Sequence, residues 1–162
     1  MRLLAIGKGA GEFGKELFPD FTIDTTSLKP SKKQVGYDAI LAFHVLNRVS
    51  YRDYGKTIGN WLDALKPDGE LHLFVPSLEW AAEQVLSEEP SPLLMRHLFG
   101  AQTAEDEFSI SGMTLRTARD ILANAGVAVT HAAAGTYALT FDGKEYQADH
   151  MYILGKKKRN AG

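Results

Sequence analysis

The 162-residue chain contains no cysteine, which excludes disulfides, thiolate metal sites and cysteine nucleophiles together. It also lacks a long hydrophobic run. Only a short apolar stretch follows Arg2 before glycines begin, too short for a signal peptide or a membrane span. Charge of one sign is not in excess, with 18 Lys and Arg against 20 Asp and Glu. No global field therefore recommends nucleic acid, and basic and aromatic residues are not interleaved as a nucleic-acid surface demands. His72 lies between apolar residues, and His97, His131 and His150 are scattered without metal-ligand spacing, so no metal site is expected. There is no internal repeat and no low-complexity segment. What remains is one cytoplasmic domain over residues 1–162, whose 44% hydrophobic and 23% charged residues are ordinary for a globular protein. The basic tail at 156–162, with Lys156, Lys157, Lys158 and Arg159, reads as a solvated end.

Glycine is present where it informs most. Leu4-Ala5-Ile6-Gly7-Lys8-Gly9-Ala10-Gly11-Glu12-Phe13-Gly14 runs from an apolar strand straight into a glycine-dense loop, an arrangement that brings backbone N–H groups against a bound cofactor. The spacing satisfies two patterns. Gly9, Gly11 and Gly14 fit the G-x-G-x-x-G of dinucleotide sites, while Gly7, Gly9 and Gly11 fit the G-x-G-x-G of S-adenosylmethionine sites.

Strand and helix signals alternate along the chain. Strands are expected at 2–6, 21–24, 37–43 and 71–75, and helices at 12–18 and 51–65, where Tyr54, Ile58, Trp61, Leu62 and Leu65 fall at helical spacing. The polar stretch at 25–36 reads as loop, and Lys66-Pro67-Asp68-Gly69 as a turn. Ser77 and Thr114 are placed to cap helices, a further short helix lies at 93–99, and 100–112 reads as loop. Strands at 127–133, 136–141 and 146–154 close the chain, with Asp142-Gly143 as a hairpin signal. Trp61 and Trp80 read as packing residues. This order predicts an α/β fold: a single Rossmann-like, doubly wound, mostly parallel sheet with helices on both faces and a C-terminal antiparallel strand pair. Ligands of such sheets lie beyond the carboxyl ends of the strands, which singles out Gly7, Gly9, Gly11, Asp24, Phe43, His44, Pro76 and Ser77.

Tyr37-Asp38-Ala39-Ile40-Leu41-Ala42-Phe43-His44-Val45-Leu46-Asn47-Arg48-Val49 resembles the "FD-x-I…HVLEHV" segment of class I S-adenosylmethionine-dependent methyltransferases. Leu65-Lys66-Pro67-Asp68-Gly69-Glu70-Leu71 resembles their "LKPGG-x-L" turn. Val75-Pro76-Ser77-Leu78-Glu79-Trp80, Leu98-Phe99-Gly100-Ala101-Gln102 and Ser111-Gly112-Met113-Thr114 are similar to segments of a group of small, type 11-like predicted methyltransferases. The similarity runs through nearly the whole chain in order. It implies S-adenosylmethionine as cofactor, with Gly7, Gly9 and Gly11 approached by its methionine portion. It also implies that Asp24 accepts the ribose hydroxyls and that Phe43 and His44 lie beside the cofactor, His44 being the candidate base. The implied activity is methyl transfer to a small-molecule or glycan-like acceptor.

The chain departs from that pattern in three places. Ala5 stands where relatives carry an acid two residues before the first glycine, and Asn47-Arg48 replaces Glu-His. Between Lys29-Pro30 and Tyr37-Asp38 roughly ten residues are missing, so a strand that bears the relatives' adenine-binding acid is expected to be absent. The chain opens on its first strand, so any cap over the site is expected from 77–113 or from a partner subunit in a homo-oligomer. These departures keep a second function class open, a methyltransferase-fold binding or assembly module that has lost its cofactor.

Overall fold

The structure, a computed structural model, describes residues 1–102, 107–141 and 143–158, with the backbone alone at 139–141. Its strands are β1 (Arg2–Ile6), β2 (Thr22–Thr26), β3 (Tyr37–Phe43), β4 (Leu65–Pro76), β5 (Val127–Phe141) and β6 (Lys144–Lys157). Its helices are α1 (Ala10–Leu17), α2 (Tyr54–Ala64), α3 (Leu78–Leu86), α4 (Leu94–Phe99) and α5 (Leu115–Asn124). The six strands form one sheet in the order β2-β1-β3-β4-β6-β5. β1 to β4 pair in parallel, and β6 runs antiparallel to both β4 and β5. The expected architecture is therefore present, including the closing antiparallel pair.

Burial on both faces explains the continuous apolar strands. Leu4, Ile6, Ile40, Ala42, Leu71 and Leu73 point to one face, under Tyr54, Ile58, Trp61 and Leu62 of α2 and Ala118 and Leu122 of α5. Leu3, Ala39 and Leu41 point to the other, where Phe13 of α1 and Phe18 pack. Trp80, Ala81, Leu93 and Ala148 make a third, smaller cluster in which α3 and α4 meet the β5–β6 pair. Trp61 is fully buried, and its indole N–H donates to the Leu28 carbonyl at 3.0 Å. That bond anchors residues 27–36, which form no strand. β2 is consequently the sheet's edge, as the shortened segment predicts. Both expected caps form: Ser77 Oγ accepts from Trp80 N, and Thr114 and Thr117 close a reciprocal capping box.

Four boundaries differ from expectation. The expected strands at 127–133 and 136–141 are one strand, because β6 supplies a continuous ladder past Gly135 to His150. Asp142 of the hairpin signal lies outside the described residues, while its flanks Phe141 and Lys144 pair. The Lys66–Gly69 turn is absorbed into the start of β4, with Asp68 at φ 63° and a register shift opposite Tyr37 and Ala39. β2 continues past Asp24 to Thr26 because Thr25 and Thr26 still find partners in Ala5 and Ile6. Of the basic tail, Arg159 to Gly162 lie outside the described residues, Lys156 is exposed and Lys157 is half-buried. Both lie in β6, and Lys157 Nζ donates to Leu62 O at 2.6 Å, with Lys158 Nζ reaching Ala123 O at 3.3 Å. These ammonium groups meet carbonyls in the last turns of α2 and α5, where a helix favours positive charge.

Candidate functional site

The glycine loop joins β1 to α1 at the carboxyl edge of the sheet. Gly7 and Gly9 take φ values of 111° and 78°, a region that side chains resist. The space around them differs. A Cβ on Gly7 would lie 2.5 Å from the Phe43 carbonyl oxygen, whereas a Cβ on Gly9 would meet nothing within 4 Å. A Cβ on Gly11 would sit 3.0 Å from Thr25 Cγ2. Gly7 and Gly11 are thus required by the fold's own packing, and Gly9 is the position that leaves open space over the loop.

That edge carries a cavity of about 500 Å³. The loop contributes Lys8, α1 contributes Phe13, the end of β3 contributes Phe43 and His44, and β4 contributes Pro76. Asn47 and Arg48 follow on the inner side. The outer wall is Leu93, Arg96 and His97 of the cap, with Tyr137 and Ala148 from the β5–β6 pair. Lys8 pairs with the buried Glu107 carboxylate, tying the glycine loop to the cap segment. The cap expected from 77–113 is therefore built by this chain, and the C-terminal strands add to it.

Phe43 and His44 both line the cavity. The chain turns at His44, which has φ 49°, and its ring stacks on Phe43 at 4.3 Å between centroids. Tyr137 meets it edge-on at 5.3 Å. Burial, reinforced by His150, His97 and Arg48 nearby, pushes the His44 imidazole down to about 3, so it is neutral at pH 7. Charging it there costs roughly 5 kcal/mol, which suits a hydrogen-bonding or packing group better than a base.

Three residues of the cavity wall hold a buried polar atom with no partner among the described residues: His44 Nε2, Asn47 Oδ1 and His97 Nδ1. Asn47 Nδ2 donates to Ser109 Oγ at 2.7 Å, and its carbonyl accepts from the Ile110 and Ser111 amides. The departure at Asn47 thus pins the cap loop to the sheet. His97 Nε2 donates to Ser77 O at 2.8 Å, which fixes the tautomer and leaves Nδ1 bare. Each such orphan costs about 1–3 kcal/mol. A sequence reading could not find His97, Arg96 or Tyr137, since only the folding of α4 and β5 over the sheet brings them to Phe43.

Asp24 does not join this group. It pairs in register with Leu4, two residues short of the strand end. Its Oδ2 accepts from Tyr37 Oη at 2.7 Å and from Arg2 Nη2 at 2.9 Å. The Tyr37 hydrogen bond, then that of Arg2, holds its carboxyl below the usual carboxylate range. Ala5 is fully buried and offers no polar group. A second cavity, about 440 Å³, opens between Leu28, Lys29, Asp53, Asn60 and Trp61, and shares Arg48 with the first. No helix among the described residues is long and apolar enough to cross a membrane.

Solved structures share this architecture. One, described under "Conversion of a disulfide bond into a thioacetal group during echinomycin biosynthesis", superposes over 100% of this chain and 77% of its own, with a TM-score of 0.70 and 13% identity. A protein of Bacillus halodurans C-125, provisionally named a methyltransferase, covers 98% of this chain and 92% of its own, with a TM-score of 0.62 at 10% identity. An S-adenosylmethionine-dependent methyltransferase of Methanosarcina mazei matches over 96% of this chain and 80% of its own, with a TM-score of 0.55 at 13% identity. No family profile and no curated protein sequence matches the chain. The chain has the class I, Rossmann-like methyltransferase fold, with six strands in its sheet.

Proposed function

We propose that this protein is an S-adenosylmethionine-dependent methyltransferase acting on a small molecule. The observation that carries the reading is the cavity at the carboxyl edge. It opens beside the loop of Gly9, and three of its wall residues hold orphaned buried polar atoms. Native proteins leave few such atoms without cause, and three around one cavity support a polar ligand there. The residues fit the amino-acid end of the cofactor. Gly9 leaves room for close backbone approach, and Asn47 and His44 add polar groups beside it. The nucleoside end is assigned to the second cavity, reached past Arg48. Asp24 is not assigned to the ribose, because it lines neither cavity and its Oδ2 is held by Arg2 and Tyr37.

When bound, the cofactor supplies a sulfonium-activated methyl group, whose transfer is an in-line displacement. The chain's contribution is then positioning and exclusion of water, which need no strong base. Lys8 and Glu107 hold the loop and cap together over the cavity, and the Phe43–His44 stack with Tyr137 forms its apolar wall. The cavity's size favours a small acceptor over a long glycan chain. We assign the protein to the cytoplasm.

Isothermal titration with S-adenosylmethionine and S-adenosylhomocysteine tests this reading. Saturable binding is expected, and no heat at millimolar ligand overturns it. That second result would favour a cofactor-free binding or assembly module, the reading that buried Ala5 and the engaged Asp24 favour.

A further inference from the structure

The charges on the cavity wall are unequal. Among the described residues, Lys8, Arg48 and Arg96 line it with one carboxylate, Glu107. Lys8 and Glu107 face each other as an ion pair, and Arg48 has an interaction of its own. Arg96 is the exposed one, on the outer side of the wall, and its guanidinium makes no hydrogen bond or ion pair with any described residue. Asp149, which acts on His97, His150 and Tyr137, is not among the residues lining the cavity; its Oδ1 accepts from Thr136 Oγ1 at 2.8 Å. The rest of the outer wall is Leu93, His97, Tyr137 and Ala148, and the Phe43–His44 stack lies on the same cavity.

We propose that the acceptor is a small, flat carboxylate whose anion is held by the Arg96 guanidinium, making Arg96 a specificity-determining residue. The inference rests on the methyltransferase reading for the word acceptor, and on the wall alone for the chemistry. A planar guanidinium matches a carboxylate with two parallel N–H···O bonds, a geometry an ammonium cannot supply. One uncommitted cation calls for one negative charge. Phe43, His44 and Tyr137 supply aromatic surface for a ring, and a cavity of about 500 Å³ holds a single ring with substituents. Arg96 stands at the mouth, so the anion remains partly solvated while the ring is buried.

The test uses 4-hydroxybenzoate and its neutral counterpart 4-hydroxybenzamide, titrated into the whole protein with and without S-adenosylhomocysteine. The carboxylate is expected to bind at least about tenfold more tightly than the amide. Arg96→Gln should abolish that preference, Arg96→Lys should retain part of it, and Arg52→Gln, outside the cavity, should leave it intact. Equal binding of the two probes overturns the inference, as does binding of neither or a preference that survives Arg96→Gln. If S-adenosylhomocysteine binds and the preference is absent, the inference fails while the methyltransferase reading stands. A preference without cofactor binding supports the Arg96 site and overturns the methyltransferase reading beneath it.

Discussion

Gly7→Ala and Gly9→Ala, two residues apart on one loop, should fail in different ways. Both place a side chain in left-handed backbone, which costs about 1–2 kcal/mol, offset by a few tenths to 1 kcal/mol through a stiffer unfolded chain. Gly9→Ala meets nothing within 4 Å, so its net cost is about 1 kcal/mol. For a domain of this length that is a melting temperature lower by about 2–4 °C. Gly7→Ala adds a Cβ 2.5 Å from the Phe43 carbonyl oxygen, and backbone on both sides must give. Overpacking of this kind costs about 1–3 kcal/mol more, so the melting temperature should fall by roughly 4–16 °C. Affinity for S-adenosylhomocysteine should order the pair the other way for protein that is still folded: Gly9→Ala, nearly native in stability, should lose at least about tenfold. Thermal melts and titration calorimetry on both variants check this. Equal melting temperatures would refute the packing argument at Gly7, and native affinity in Gly9→Ala would refute a cofactor over the loop.

Three further outcomes are expected. His44, His97 and His150 all have imidazoles pushed down by burial. Their stabilising contribution is complete above the unfolded value of about 6.5 and is lost as pH falls toward the folded ones, at up to about 1.4 kcal/mol per pH unit for each. Denaturant melts between pH 8 and 5 should show stability falling with acid, with a shallower slope in His44→Asn. Asp24→Asn should leave S-adenosylhomocysteine affinity unchanged. It should also bring the Tyr37 hydroxyl, raised to about 12 by burial and the Asp24 carboxylate, back toward its ordinary value in a tyrosinate absorbance titration; a severe loss of affinity would return Asp24 to the ribose. Lys157→Met removes the donor to Leu62 O and Leu65 O and should cost about 1–2 kcal/mol by thermal melting, and an unchanged melt would return the tail to a solvated end.

The fold was legible because its signals are local. Leu3 to Ile6 is apolar on both faces before Gly7, and the stretch from Leu28 to Gly36 is too short and polar to hold a strand and its return. The structure agrees on both points. What escaped the sequence depends on partners distant along the chain. Asp24 follows an apolar run and so reads as a strand end, but register with β1 carries the strand two residues further, and Arg2 and Tyr37 reach its carboxylate from other strands. The stretch between 133 and 136 reads as a break, yet a strand with a ladder partner passes through Gly135, which pairs with His150. The lysine run reads as solvated because nothing local shows that the ends of α2 and α5 lie beside β6.

The same contrast explains why the site is both recognisable and altered. The elements that place it, the β1–α1 loop and the end of β3, are set by sequence-local geometry and persist in the order the resemblance predicts. What differs is Ala5 and the surroundings of Asp24. Ala5 completes an uninterrupted apolar strand, and without a further strand outside it β2 is an edge, against which Asp24 pairs with Arg2 and Tyr37. The edge position of β2 and the partners of its acid are therefore linked: an edge carboxylate finds the nearest cation and hydroxyl of its own sheet. Polar capacity moved toward the cap, where Asn47 anchors Ser109 to Ser111, Glu107 holds Lys8, and His97 and Arg96 face the cavity from α4. A cofactor bound here would rest more on the loop backbone and the cap than on strand-end acids. Its affinity should then respond to Asn47→Ala, which removes the side-chain anchor to Ser109, more than to Asp24→Asn; the reverse ranking in one calorimetric series would refute that redistribution.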